Sequence, residues 1–118
     1  MNEQSNRMVI ITEEFKGDVL ILRMSGRLDA ISSSDVEKRV FDFVNEGRTK
    51  LLIDFNGVDY LSSAGMRTLL SVAKKLKSLS GRLVLFGINS TVMEILKMAG
   101  FDHVLEIVGS QEEGLRKF

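Results

Sequence analysis

Apolar positions along this chain switch between short unbroken runs and stripes spaced three and four apart. The runs Met8-Val9-Ile10-Ile11 and Val19-Leu20-Ile21-Leu22 are short and rich in β-branched residues, which predicts strands. Lys16-Gly17-Asp18 lies between them and predicts a hairpin turn. The period then changes. Ser34 and Glu37 have the spacing of a capping box, and Val36, Val40, Phe43 and Val44 follow on one helical face. Gly47 is the expected stop. The run from Lys50 to Phe55 predicts a strand buried on both faces.

A second helix is expected to start near Ser62 or Ser63, with Met66, Leu69, Leu70, Ala73 and Leu76 as its inward stripe. Arg67, Ser71, Lys74, Lys75 and Lys77 fall on or beside the other face, and Gly81 is placed to end it. Arg82 to Gly87 predicts another buried strand. A third helix is expected from Thr91 to Ala99, turning Val92, Ile95, Leu96 and Ala99 inward, with Gly100 as its stop. Val104 to Ile107 predicts a short last strand, and Ser110 with Glu113 opens a short terminal helix. The order is β-β-α-β-α-β-α-β-α: an opening hairpin followed by three βαβ crossovers. Crossovers require parallel pairing and right-handed connections. The fold class is therefore α/β, with a mixed sheet of four to five strands flanked by about four helices.

The 118 residues are enough for one domain with one ordinary core, and no Gly-, Ser- or Pro-rich linker divides them. Sixteen basic residues balance sixteen acidic ones, so charge points neither to nucleic acid nor to an anionic membrane surface. The absence of Cys excludes disulfides and thiol chemistry, and a single His, His103, excludes a multi-His metal site. The polar start, Met1 to Arg7, carries no signal-peptide run. No apolar stretch approaches the ~18 residues of a membrane span, so the expectation is a soluble cytoplasmic domain with no membrane insertion.

Nucleophilic catalysis finds little support. Ser63 falls at a strand-to-helix turn, where a hydrolase would hold its nucleophile, but that elbow needs Gly two residues to either side. Leu61 fills the first position and only Gly65 matches. The only base, His103 beside Asp102, is not aimed at Ser63 by any sequence feature. No phosphate-binding glycine loop occurs. A phospho-aspartate switch would need clustered acids, and Glu13-Glu14 comes too early to be expected to meet Asp54. The chain is not expected to be an enzyme. Two segments remain that packing does not demand: Gly26 to Ala30, after the second strand, and Asp54 to Met66, from a strand end through a turn into a helix start. The plainest role for its two serines is to cap that helix.

These segments resemble the STAS domain family, and more closely its anti-sigma-factor antagonists. The family pattern resembles D-[LF]-[SN]-x-[VL]-x-[YF]-[LIM]-D-S-[ST]-G-[LM], matched by Asp54, Phe55, Asn56, Val58, Tyr60, Leu61, Ser63, Gly65 and Met66. Gly26, Leu28 and Asp29 match its G-x-[LI]-D-x, and Gly100-Phe101 resembles its Gly-aromatic step after the third helix. The similarity spans roughly residues 8 to 115. It implies a single STAS domain that acts by partner switching. The unphosphorylated form would bind an anti-sigma factor of the ATPase-like serine kinase type and free its sigma factor. Phosphorylation by that kinase would end the complex, and a serine phosphatase would restore it. Carried over by position, the acceptor is Ser63, with Ser62 the less favoured choice, because the family's preceding Asp falls on Ser62 and its following Ser/Thr on Ala64. The implied partner surface comprises Asp29, Leu61, Ser62, Ser63, Ala64, Gly65 and Met66. Asp29→Ala is expected to weaken binding with little effect on melting. The chain needs no cofactor of its own; ATP and Mg²⁺ belong to the kinase. The alternative role is a STAS scaffold subunit of a transport or sensor complex, with Ser62-Ser63 only capping a helix.

Overall fold

The computed structural model describes residues 9–118. Strands β1 (Ile10–Lys16) and β2 (Val19–Leu28) form the opening hairpin, turning through Gly17-Asp18. Helix α1 (Ala30–Asn45) leads to β3 (Lys50–Leu61), and α2 (Ser63–Ser78) to β4 (Arg82–Phe86). Helix α3 (Ser90–Met98) and a 3-10 turn (Phe101–His103) precede β5 (Ile107–Val108), and α4 (Gln111–Leu115) follows. The strands lie side by side in chain order. β1 pairs with β2 antiparallel, and each later pair is parallel.

Strand alternation sends two sets of side chains to opposite faces. Leu20, Leu22, Leu51, Ile53, Phe55, Leu83 and Leu85 join Val36, Val40 and Val44 of α1, Leu69, Val72 and Leu76 of α2, and Val92 and Leu96 of α3 in the main core. Val19, Ile21, Leu52, Val84 and Phe86 form a smaller core on the other face, covered by Leu115 and Phe118. Three helices therefore share one face while α4 lies on the other.

Several boundaries differ from expectation. β1 starts at Ile10, and the predicted start at Met8 lies outside the described residues. β2 and β3 run on through the two segments read as loops, to Leu28 and Leu61. Their mutual ladder carries them past Gly26 and Gly57, with register shifts between Arg23 and Ser25 and between Gly26 and Arg27. Gly57 is required there, since a Cβ would stand 2.5 Å from that of Ser25. α1 opens at Asp29, five residues before the expected cap, so Ser34 and Glu37 lie inside the helix.

Val72 belongs to the buried stripe of α2, while Met66, Leu70 and Ala73 are only half-buried. The residue that turns left-handed after α2 is Ser80, at φ 61°, and not Gly81. Ala99 is an exposed cap residue of α3. The last strand is shifted to Ile107–Val108, because Val104 follows the 3-10 turn and points to solvent.

Candidate functional site

The two segments singled out in the sequence meet at the carboxyl ends of β2 and β3, where α1 and α2 begin. Parallel pairing brings them together, with Leu28 beside Leu61. Asp29 caps α1: its carboxylate accepts from the Ser32 N–H at 3.0 Å, and the Ser32 hydroxyl accepts from the Asp29 N–H at 3.0 Å. That hydroxyl also lies 2.6 Å from the Arg27 carbonyl. The backbone N–H and then the hydroxyl of Ser32 hold the Asp29 carboxyl below its ordinary value. Asp29 is thus built into a helix start, so its removal is expected to take away a cap as well as a charge.

Ser62 caps α2. Its hydroxyl donates to the Leu28 carbonyl at 2.7 Å and accepts from the Gly65 N–H at 3.1 Å. Its N–H also donates to Leu28, at 2.9 Å. Ser63, the first residue of α2, is exposed, and among the described residues its hydroxyl has no hydrogen-bond partner. The adjacent serines therefore differ: one hydroxyl is committed to the fold and the next is open.

Gly65 lets the first turn of α2 settle on the strand ends, since a Cβ there would come 2.7 Å from Leu61 and 3.0 Å from the Leu28 carbonyl. Leu61 is only 1% exposed and Gly65 is buried. Both lie beneath the surface that Ser63 and Ala64 present. Met66 is half-buried against the main core.

Beside Ser63 a groove of about 300 Å³ separates the first turns of α1 and α2, lined by Ala30, Ser33, Ser34, Glu37, Ala64, Arg67, Thr68 and Ser71. Its walls are mostly small side chains. Glu37 accepts from Ser71 at 3.0 Å across it, and Thr68 donates to the Ser33 carbonyl at 3.4 Å. The Ser33 hydroxyl is buried without a partner. Ile31, 73% exposed, stands on the first turn of α1 as an apolar point on the same end of the molecule. The sequence reading missed it; its signal is an isoleucine outside the inward stripe of α1. Arg27 stacks on Tyr60, 4.2 Å from the ring centre, at the neighbouring strand ends.

The other candidates fall elsewhere. Glu14 and Asp54, not expected to meet, both bind Arg23, at 2.6 and 2.9 Å. The hairpin brings Glu14 there by pairing it with Ile21, two residues from Arg23. With Lys16 also 3.5 Å from Glu14, two cations face the two carboxylates and the cluster is charge-balanced. His103 sits on the exposed 3-10 turn, 3.7 Å from Asp102, and no hydrogen bond joins it to Ser63. Among the described residues no helix is long and apolar enough to cross a membrane.

The STAS domain model matches residues 11–114. The chain is 30% identical over 100 residues to BtrV of Bordetella bronchiseptica, provisionally named an anti-sigma factor antagonist, covering 85% of this chain and 86% of that protein. The crystal structure of an anti-sigma factor antagonist from Mycobacterium paratuberculosis superposes with a TM-score of 0.85 at 18% identity, over 94% of each chain. The phosphorylated form of the Bacillus cell fate determinant SpoIIAA superposes at 0.70 with 17% identity, over 92% of this chain and 98% of its own. These two structures share the fold. With the family model spanning nearly the whole sheet-and-helix core, this chain belongs to the STAS domain family.

Proposed function

We propose that this protein is an anti-sigma factor antagonist switched by phosphorylation of Ser63. The observation that carries the reading is the contrast between the two serines: Ser62 is consumed in capping, and Ser63 offers a free hydroxyl at the head of α2. The name of the Bordetella relative supports the antagonist role, and a phosphorylated form of the same fold is consistent with the switch. The unphosphorylated protein binds an anti-sigma factor of the ATPase-like serine kinase type and releases its sigma factor. A serine phosphatase resets the cycle, in the cytoplasm with the transcription machinery. The chain works as a binding module and not as a catalyst.

The energetics favour a switch in the complex over a switch in the fold. Free N–H groups and the helix dipole at the start of α2 stabilise negative charge by roughly 0.3–1 kcal/mol. A phosphate of about −1.5 to −2 charge is therefore tolerated by the domain. A partner surface closed over a neutral hydroxyl must bury that charge, at a cost of several kcal/mol. Even ~3 kcal/mol reduces affinity more than a hundredfold.

The decisive assay incubates the protein with its candidate kinase and ATP and maps the phosphate by mass spectrometry. Phosphate on Ser63, with loss of partner binding in Ser63→Asp, is the expected result. No phosphate there, or full binding by Ser63→Asp, leaves only a scaffold role.

A further inference from the structure

Arg67 lies one turn beyond Ser63 on α2, and both side chains are exposed. Among the described residues Arg67 has no ion-pair partner. It borders the groove between α1 and α2, where Ala30, Ala64 and Thr68 leave room for a long side chain to move. On the facing helix and its N-cap stand Asp29, Asp35, Glu37 and Asp42; Glu37 accepts from Ser71 and Asp29 caps α1, and among the described residues none of the four forms an ion pair with Arg67.

Helical side chains lean toward the N-terminus, so a residue at i+4 lies over residue i. An anion at i with a cation at i+4 is the favourable order of such a pair. The planar guanidinium fork matches two phosphate oxygens, which an ammonium does not. We propose that Arg67 is the intramolecular counter-ion of a phosphate on Ser63, closing over it as a clamp. The proposal rests on the reading of Ser63 as the phosphate acceptor. Phosphorylation then changes the surface twice: it adds a dianion, and it draws Arg67 toward Ser63. The positive charge at the groove's edge is withdrawn from the partner in the same step.

The test installs phosphoserine at position 63 during translation, so that no kinase is needed. The second phosphate ionisation is followed by ³¹P NMR in the otherwise unchanged protein and in Arg67→Ala, Arg67→Lys and Lys74→Ala. Arg67→Ala is expected to raise the ionisation midpoint by about 0.2–0.4 unit, the size of an i,i+4 charge pair. Arg67→Lys, which keeps the charge and loses the fork, should recover only part of that shift, and the exposed Lys74→Ala should leave it unchanged. The Arg67 Nε–H resonance should move on phosphorylation. An unchanged midpoint in Arg67→Ala with an unmoved Nε–H resonance overturns the clamp. A kinase that modifies another residue overturns the acceptor reading instead, and the installed phosphoserine keeps the two failures apart.

Discussion

The Ser62 hydroxyl donates to the Leu28 carbonyl across 2.7 Å, tying the head of α2 to the end of a strand 34 residues earlier. That one bond separates the roles of two serines that the sequence presents as equals. Ser62→Ala should cost about 0.5–2 kcal/mol of stability through the lost cap. Ser63→Ala, at an exposed and unbonded site, should stay within about 0.5 kcal/mol of the parent. Urea unfolding of both variants checks the contrast, and equal losses would refute it.

Asp29 carries a capping acceptor and a charge in one side chain, and substitution can separate them. Asp29→Ala should lower stability by about 1 kcal/mol, whereas Asp29→Asn keeps an acceptor of equal rank and should lose little. If Asp29 also serves a partner by its charge, only the Asn variant reads that role cleanly. Paired melting and binding titrations measure both effects.

Acid should weaken the fold through three lowered carboxyls. The Arg23 guanidinium holds Glu14 down, the Lys50 ammonium holds Asp18 down, and Ser32 holds Asp29 down. A carboxyl whose folded value is depressed stabilises the fold above its unfolded value and loses that contribution as pH falls through the folded value. The urea midpoint should therefore be flat near neutrality and fall progressively below about pH 5. Asp29→Asn should fall less steeply. A midpoint that rises on acidification would contradict the sign.

Ser33 offers a gain of stability. Its hydroxyl is buried at the crossing of α1 and α2 with no partner, a state that costs about 1–3 kcal/mol. Ser33→Ala removes that cost and improves helix propensity, so it should raise the melting temperature by several degrees. A lower melting temperature would mean that the hydroxyl is satisfied after all.

Ile31 should matter to binding and not to folding. It is a large apolar side chain left in solvent on the first turn of α1, as Ser63 is on the first turn of α2. Ile31→Ala should change stability by less than about 0.5 kcal/mol and weaken anti-sigma factor binding by at least about fivefold. Calorimetry against the isolated partner decides it.

The sequence by itself determined the kinds of elements and their order. Periods of two and of 3.6 act between residues a few positions apart, so the β-β-α-β-α-β-α-β-α order was legible without the fold. Resemblance in Asp54 to Met66 likewise marked where to look. Tertiary structure decided how far β2 and β3 extend, because strand ends are set by the partner strand and not by local apolar content: Gly26 and Gly57 read as loop until a ladder holds them. It also decided that Asp29 caps α1 with Ser32 in place of an acidic residue, and that Glu14 and Asp54 share Arg23. Above all it decided which serine is free. Both can cap a helix in isolation; only the arrival of the Leu28 carbonyl, fixed by parallel pairing of β2 with β3, consumes one hydroxyl and leaves its neighbour's exposed.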